Sequence, residues 1–194
     1  MQGHNDSPLS ELGLQQAGWL KAALSVISFD AVYSSPCLRA LRTTEIICSG
    51  RKIEIASEPG LIEIGLGAWE GKQIDAVARL YPEQSADFWK APARFKPAGS
   101  GETFRQVQDR AVRAVAGIVQ KHPRQTVLLV SHAVVLKTLM AFMERIALDE
   151  YWHRPFLTQA SLSVVEAAGG LYRIVRANDT SHHDFIRKRE DNTW

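Results

Sequence analysis

The sequence predicts an α/β fold, a three-layer α/β/α sandwich on a mostly parallel sheet, and two observations carry that prediction. Residues 126–136, Thr-Val-Leu-Leu-Val-Ser-His-Ala-Val-Val-Leu, pass from an apolar run through Ser131-His132 into a segment that is apolar at helical spacing. Such a run, short and rich in valine and leucine, reads as a strand buried on both faces of a parallel sheet. Elsewhere strand-like and helix-like stretches alternate, which places helices on both faces of one sheet. At 194 residues the chain fits a single domain, 1–194, with one well-buried core.

Residues 1–9 are polar and loop-like. Leu14, Ala17, Leu20 and Leu24 keep helical spacing and predict an amphipathic helix over 10–26. Residues 29–34 read as a strand, followed at Ser35-Pro36 by a helix over 36–48, since proline suits a first helical turn. Residues 53–56 are a brief strand. Residues 61–71, Leu-Ile-Glu-Ile-Gly-Leu-Gly-Ala-Trp-Glu-Gly, match neither period. Ile74, Val77, Ala78 and Tyr81 predict a short helix that Pro82 ends. Residues 91–102, with Pro92, Pro97, Gly99 and Gly101, read as a loop and candidate lid. Thr103 and Gln106 form a capping box ahead of the stripe Phe104, Val107, Ala111, Val115, Ile118. Residues 161–166 and 171–177 flank Gly169-Gly170 as a hairpin, whose edge is a candidate homodimer contact. The tail from Asp179 is charged.

Composition removes several function classes. A net charge of +2 is too small to argue for nucleic acid or an acidic membrane. No apolar run reaches the length of a membrane span, and the first residues do not resemble a signal peptide. Cys37 and Cys48 fall on one predicted helix, about 16 Å apart at the usual rise, too far to bridge. A reducing, cytoplasmic setting follows as the expectation.

Three polar side chains recur at equivalent places. Arg39 lies in the first turns of the helix after the second predicted element, Glu63 follows another strand, and His132 ends the strand at 127–130. In a parallel sheet all three meet at the carboxyl edge, where open α/β folds bind ligands and helix N–H groups face an anion. Guanidinium, imidazole and backbone N–H groups together suit a phosphate dianion. A carboxyl beside them can protonate a leaving oxygen. Singly, each has an ordinary alternative: a capping histidine, a surface arginine, a turn-capping glutamate.

Residues 34–45, Ser-Ser-Pro-Cys-Leu-Arg-Ala-Leu-Arg-Thr-Thr-Glu, resemble a signature of the histidine phosphatase superfamily, which includes phosphoglycerate mutases and small broad-specificity phosphatases. Residues 61–71, Gly101-Glu102-Thr103 and Val130-Ser131-His132-Ala133 are similar to three more, and Gln2–Leu9 with Gly13, Gln16 and Ala17 resembles the segment after the family's opening motif. Residues 178–182 resemble its C-terminal segment. The resemblance implies a phosphoglycerate mutase-like fold and a pocket in which Arg39 and His132 hold the phosphoryl group and Glu63 is the general acid. Gln2 falls on a glutamine shaping the phosphate end, and Ala133 replaces a more usual glycine. No metal or other cofactor is implied, and the partner is a small-molecule phosphate ester. The short insert between Glu63 and Thr103 is more similar to α-ribazole and broad-specificity phosphatases than to the mutases, which leaves mutase-type phosphotransfer as an alternative.

One departure matters. The family opens with a buried strand ending Arg-His-Gly, whose histidine accepts the phosphoryl group, and this chain contains no Arg-His-Gly. His4 lies on the loop beyond that strand, and His122, beside Pro123, reads as a surface residue at a helix end. Four or five missing apolar side chains at ~1.5–3 kcal/mol each forfeit on the order of 10 kcal/mol, comparable to the stability of a typical domain. The expectation is a longer native product, or a chain that is unstable and inactive; a non-catalytic phosphate- or protein-binding module is the reading from another class.

Other signals are ordinary. Residues 65–71 are one residue off a dinucleotide fingerprint and read as a turn. Ser131 beside His132 lacks the elbow of a hydrolase triad. His182-His183-Asp184 reads as tail rather than metal site, and Arg187-Lys188-Arg189 as a solvated end. Trp89 and Phe95 are candidates for the leaving-group wall.

Overall fold

A computed structural model describes residues 1–153 and 157–183. Three short strands, β1 (Ala31–Ser34), β2 (Ile55–Ser57) and β3 (Val127–Val130), form a parallel sheet in the order β2-β1-β3. Val32 pairs with Ile55 on one side and Leu128 on the other. Residues alternate between two cores, as a sheet covered on both faces requires. Val32 and Leu128 turn to Leu20, Leu24 and Ile47 of helices α1 (Glu11–Ala23) and α2 (Leu38–Cys48). Tyr33 and Leu129 turn to the opposite core, built on helices α5 (Phe104–Lys121) and α6 (Ala133–Met143). The three-layer arrangement is therefore present.

Strands β4 (Leu162–Ala168) and β5 (Leu171–Asp179) form the antiparallel hairpin as a sheet of its own. Leu162 packs on the α1/α2 side and Tyr172 on α6. Among the described residues β3 pairs with β1 alone and β4 with β5 alone. The resemblance expects its opening strand in the middle of the sheet, and no strand of that kind joins the two sheets among the described residues.

Several boundaries differ from the sequence reading. Ser10 caps α1 by accepting the Gly13 N–H. Helix α2 starts at Leu38, because Cys37 is its extended N-cap. Pro82 does end the short helix α3 (Ile74–Leu80), yet it also begins α4 (Pro82–Lys90), with its missing N–H placed where none is needed. The capping box at Thr103 and Gln106 is formed.

Residues 91–102 do not make a free lid. Ala68 N–H donates to the Ala98 carbonyl at 2.9 Å and Glu102 N–H to the Gly65 carbonyl at 2.7 Å. Two glycines permit this approach. A Cβ on Gly67 (φ +55°) sits 2.5 Å from the Ala98 oxygen, and one on Gly101 sits 2.7 Å from the Gly65 oxygen. Phe95 is core, against Trp69, Phe88 and Phe104, rather than pocket wall. Trp89 is half-buried and stacks on Phe88 and Trp152.

The tail reading also needs correction as far as the structure describes it. His183 is buried against Trp19, and His182 bonds the Ala160 carbonyl at 2.8 Å. Asp184 and Arg187-Lys188-Arg189 lie outside the described residues. No helix among those described is long and apolar enough to cross a membrane.

Candidate active site

All three strands of the parallel sheet end at one edge, and the chain leaves it toward the site each time. Ser35 follows β1 and holds the edge by donating its N–H to the Val130 carbonyl at 2.9 Å. His132 follows β3 as the N-cap of α6. Its Nε2 lies 2.7 Å from Ser35 Oγ, which also accepts the Cys37 N–H at 3.3 Å. Ser34, Ser35 and Thr44 are fully buried, and Thr44 Oγ1 donates to Ser34 Oγ at 3.0 Å. A buried polar chain with its partners in place fixes a ring more firmly than packing alone. Ser35 engages one of the two ring nitrogens.

Burial, then the positive charges of Arg39, Arg110 and His4, lower the His132 pKa to about 3. The imidazole is therefore neutral, and an arriving anion shifts it back toward the charged form.

Glu63 reaches the same place from the turn after β2. Its Oε1 accepts the Ile64 N–H at 2.9 Å, and its Oε2 the Val134 N–H in the first turn of α6 at 3.4 Å. Burial raises its pKa above the ordinary carboxylate value, against the lowering effect of these amides and of Arg39. A carboxyl that keeps its proton longer is what a general acid near neutrality needs. Tyr151 braces the same helix start, its hydroxyl donating to the Val134 carbonyl at 2.9 Å.

Arg39 enters from the first turn of α2. It donates to the carbonyls of Gly3 at 2.8 Å and Asn5 at 3.1 Å, so residues 1–6 are drawn over the site. Asp6 in turn accepts the Leu38 N–H on both carboxylate oxygens at 2.9 Å and supplies the cap that Cys37 does not.

Arg39, Glu63 and His132 thus converge: Arg39 acts electrostatically on both others, and Glu63 is bonded to the helix that His132 caps. The other two sequence candidates are peripheral. Gln2 is exposed on the loop and donates to Ser7 Oγ at 2.8 Å; Ala133 is exposed beside His132.

Three residues at the site were not read from the sequence as functional. His4 Nε2 lies 2.8 Å from the Glu63 carbonyl. Arg110 and Glu102 are bonded to each other and to the turn carrying Glu63. The usable signal for Arg110 is its place beside the apolar stripe of Phe104, Val107 and Ala111, where a charge needs a partner. Among the described residues no three His, Cys, Asp or Glu side chains form a group able to hold a metal ion.

Comparison with known proteins gives the chain a family and relatives. The family model described as histidine phosphatase superfamily (branch 1) matches residues 1–180. Phosphoserine phosphatase 1 of Hydrogenobacter thermophilus is 31% identical over 181 residues, 93% of this chain and 85% of that protein. Among solved structures, Bacillus stearothermophilus YhfR superposes with a TM-score of 0.91 at 43% identity, covering 94% of this chain and 90% of that one. The α-ribazole phosphatase from Shigella flexneri gives 0.82 at 26% identity, with 92% and 88% covered.

Proposed function

The chain belongs to the histidine phosphatase superfamily, branch 1, and from that premise we propose that its fold is that of a phosphomonoesterase acting on small phosphate esters. The observation that carries the reading is the meeting of Arg39, Glu63 and His132 at one edge of the sheet. Arg39 and His132 hold the phosphoryl oxygens and stabilise the charge that builds on them, the largest contribution such a site makes. An acceptor imidazole attacks phosphorus as the ester P–O bond breaks, and Glu63 delivers its proton to the leaving alcohol oxygen. The Glu63 carboxylate then takes a proton from water, which attacks the phosphohistidine and releases phosphate and the free imidazole.

The acceptor is the component this reading has to supply. His132 is engaged by Ser35, and His4 by the Glu63 carbonyl, so neither is assigned the role. By the resemblance we assign it to the histidine of a strand ending Arg-His-Gly, a motif that residues 1–194 do not contain. The chain of residues 1–194 alone then binds phosphate without turning it over. The similar phosphoserine phosphatase and α-ribazole phosphatase point to monoesters of small polar alcohols as substrates. The two buried free thiols, Cys37 and Cys48, suit a cytoplasmic enzyme.

Phosphohistidine trapping tests the reading. A protein carrying the additional strand is expected to take up label from a phosphate ester, and residues 1–194 are not. Absence of label and turnover in both forms favours the phosphate-binding module. Strong interconversion of phosphoglycerates favours the mutase.

A further inference from the structure

Glu63 sits on a turn, not on a helix or strand, and a general acid on a loose turn is poorly aimed. The turn is instead tied at several points to one ion pair. Arg110, on α5, donates through Nη1 to the Gly60 carbonyl at 2.9 Å and through Nη2 to the Glu63 carbonyl at 3.0 Å. The same guanidinium holds Glu102 with two parallel bonds of 2.8 Å. Glu102 accepts the Gly65 N–H at 2.9 Å, while its own N–H donates to the Gly65 carbonyl at 2.7 Å. Residues 60, 63 and 65 are therefore held from α5 and the residue just before its cap.

Helix α5 is also fixed to α6, through the buried Gln108 amide donating to the Thr138 carbonyl at 3.2 Å. Helix α6 carries Val134, whose N–H receives the Glu63 carboxyl. The turn and its target thus share one rigid support.

We propose that the Arg110–Glu102 pair is a positioning device for Glu63, holding its turn so that the carboxyl stays against the start of α6. The pair acts by shape rather than by charge. The charged group that acts on Glu63 is Arg39, and the guanidinium of Arg110 meets only the main chain of the turn. The groups facing Glu63 from the elements around it are Arg39 from α2, Tyr151 from the segment after α6, and the N–H groups of Ile64, Val134 and Val135. His4 and Arg110 reach its carbonyl. A lysine at 110 keeps the charge and loses the fork, because one ammonium cannot reproduce bonds to Gly60, Glu63 and both Glu102 oxygens together. The proposal rests on Glu63 being the general acid only for its consequence in catalysis; the latch itself is readable without turnover.

The test uses the full 194-residue chain and nuclear magnetic resonance. In Arg110→Lys the Ile64 and Val134 amides are expected to exchange about tenfold faster, a factor that one lost charged hydrogen bond supplies. The Glu63 carboxyl is expected to titrate closer to its ordinary value as water reaches it. Amides in the middle of α5, such as Val115, stay as protected as in the parent. Glu102→Gln, which turns one of the two accepting oxygens of the fork into a donor, shows the same changes at smaller size and serves if the lysine variant does not fold. Arg94→Gln, which removes an exposed pair with Asp87, leaves Ile64 and Val134 unchanged. Unaltered exchange and titration in both Arg110→Lys and Glu102→Gln overturns the proposal, as does equal loosening at Val115. If Glu63→Gln leaves turnover of the strand-complemented enzyme intact, the general-acid reading fails while the latch result stands.

Discussion

The candidate site has two unlike halves. One is buried and over-determined: His132, Ser35 and Glu63 are tied to strand ends, helix starts and one another by bonds that leave little freedom. The other is the loop 1–8, exposed over much of its length and held by single bonds: from Arg39 and Asp6, from His4 to the Glu63 carbonyl, and from the His4 N–H to Glu70. In the first half a low-dielectric surrounding makes each dipole count; in the second, water competes for every bond. On the proposed function, charge stabilisation and proton transfer therefore fall to the buried half. Substitutions divide accordingly.

The largest effect is expected at His132. In a protein complemented with the acceptor strand, His132→Ala is expected to lower kcat/KM about a thousandfold, the scale seen when one preorganised donor to a developing anion is removed. Steady-state assay of a monoester checks it. Turnover close to the parent removes His132 from the phosphate pocket and collapses the contrast between the halves.

Next comes the acid limb of stability. His132 titrates at about 3 in the folded protein, against 6.5 for an ordinary histidine. Between those values the unfolded chain binds a proton that the folded one refuses. The contribution is therefore complete above pH 6.5 and is lost as pH falls toward 3, on the order of a few kcal/mol. Glu63 works in the other direction: its raised pKa stabilises the fold at low pH and that contribution fades as pH rises past 4.5. In His132→Asn, chemical denaturation from pH 7 to pH 4 is expected to show a flatter acid limb than the parent. Equal slopes contradict the neutral buried imidazole.

The two halves also differ in how far the sequence revealed them. Arg39, Glu63 and His132 were legible because strand ends in a parallel sheet share an edge, so chain position alone implies convergence. Helix α5 was legible from its stripe and capping box, and β3 from its apolar run. Helix α4 was hidden because Pro82 both ends one helix and starts another, and the ending is the stronger local signal. The path of residues 91–102 was hidden too, since it depends on backbone approach at Gly67 and Gly101 that no period records. Arg110 and Glu102 were missed for a related reason: besides each other, their partners are main-chain carbonyls and amides, which look alike at every position of a sequence.

The smallest effect is expected at Gln2, and it sharpens the comparison most finely. The resemblance assigns its glutamine to the phosphate end, whereas here the amide donates to Ser7 Oγ on an exposed loop. A bond between two exposed neutral groups contributes little, because water replaces it at small cost. Gln2→Ala is therefore expected to change phosphate or vanadate affinity of the 194-residue chain by no more than about twofold, within the range of surface substitutions. Arg39→Ala in the same titration removes the guanidinium that holds Gly3 and Asn5, so binding is expected to be lost with it. Calorimetric titration of the two variants side by side gives the contrast directly. A loss at Gln2 comparable to that at Arg39 means that the loop's side chains close onto the anion, and the exposed half then belongs to the phosphate pocket as fully as the buried one.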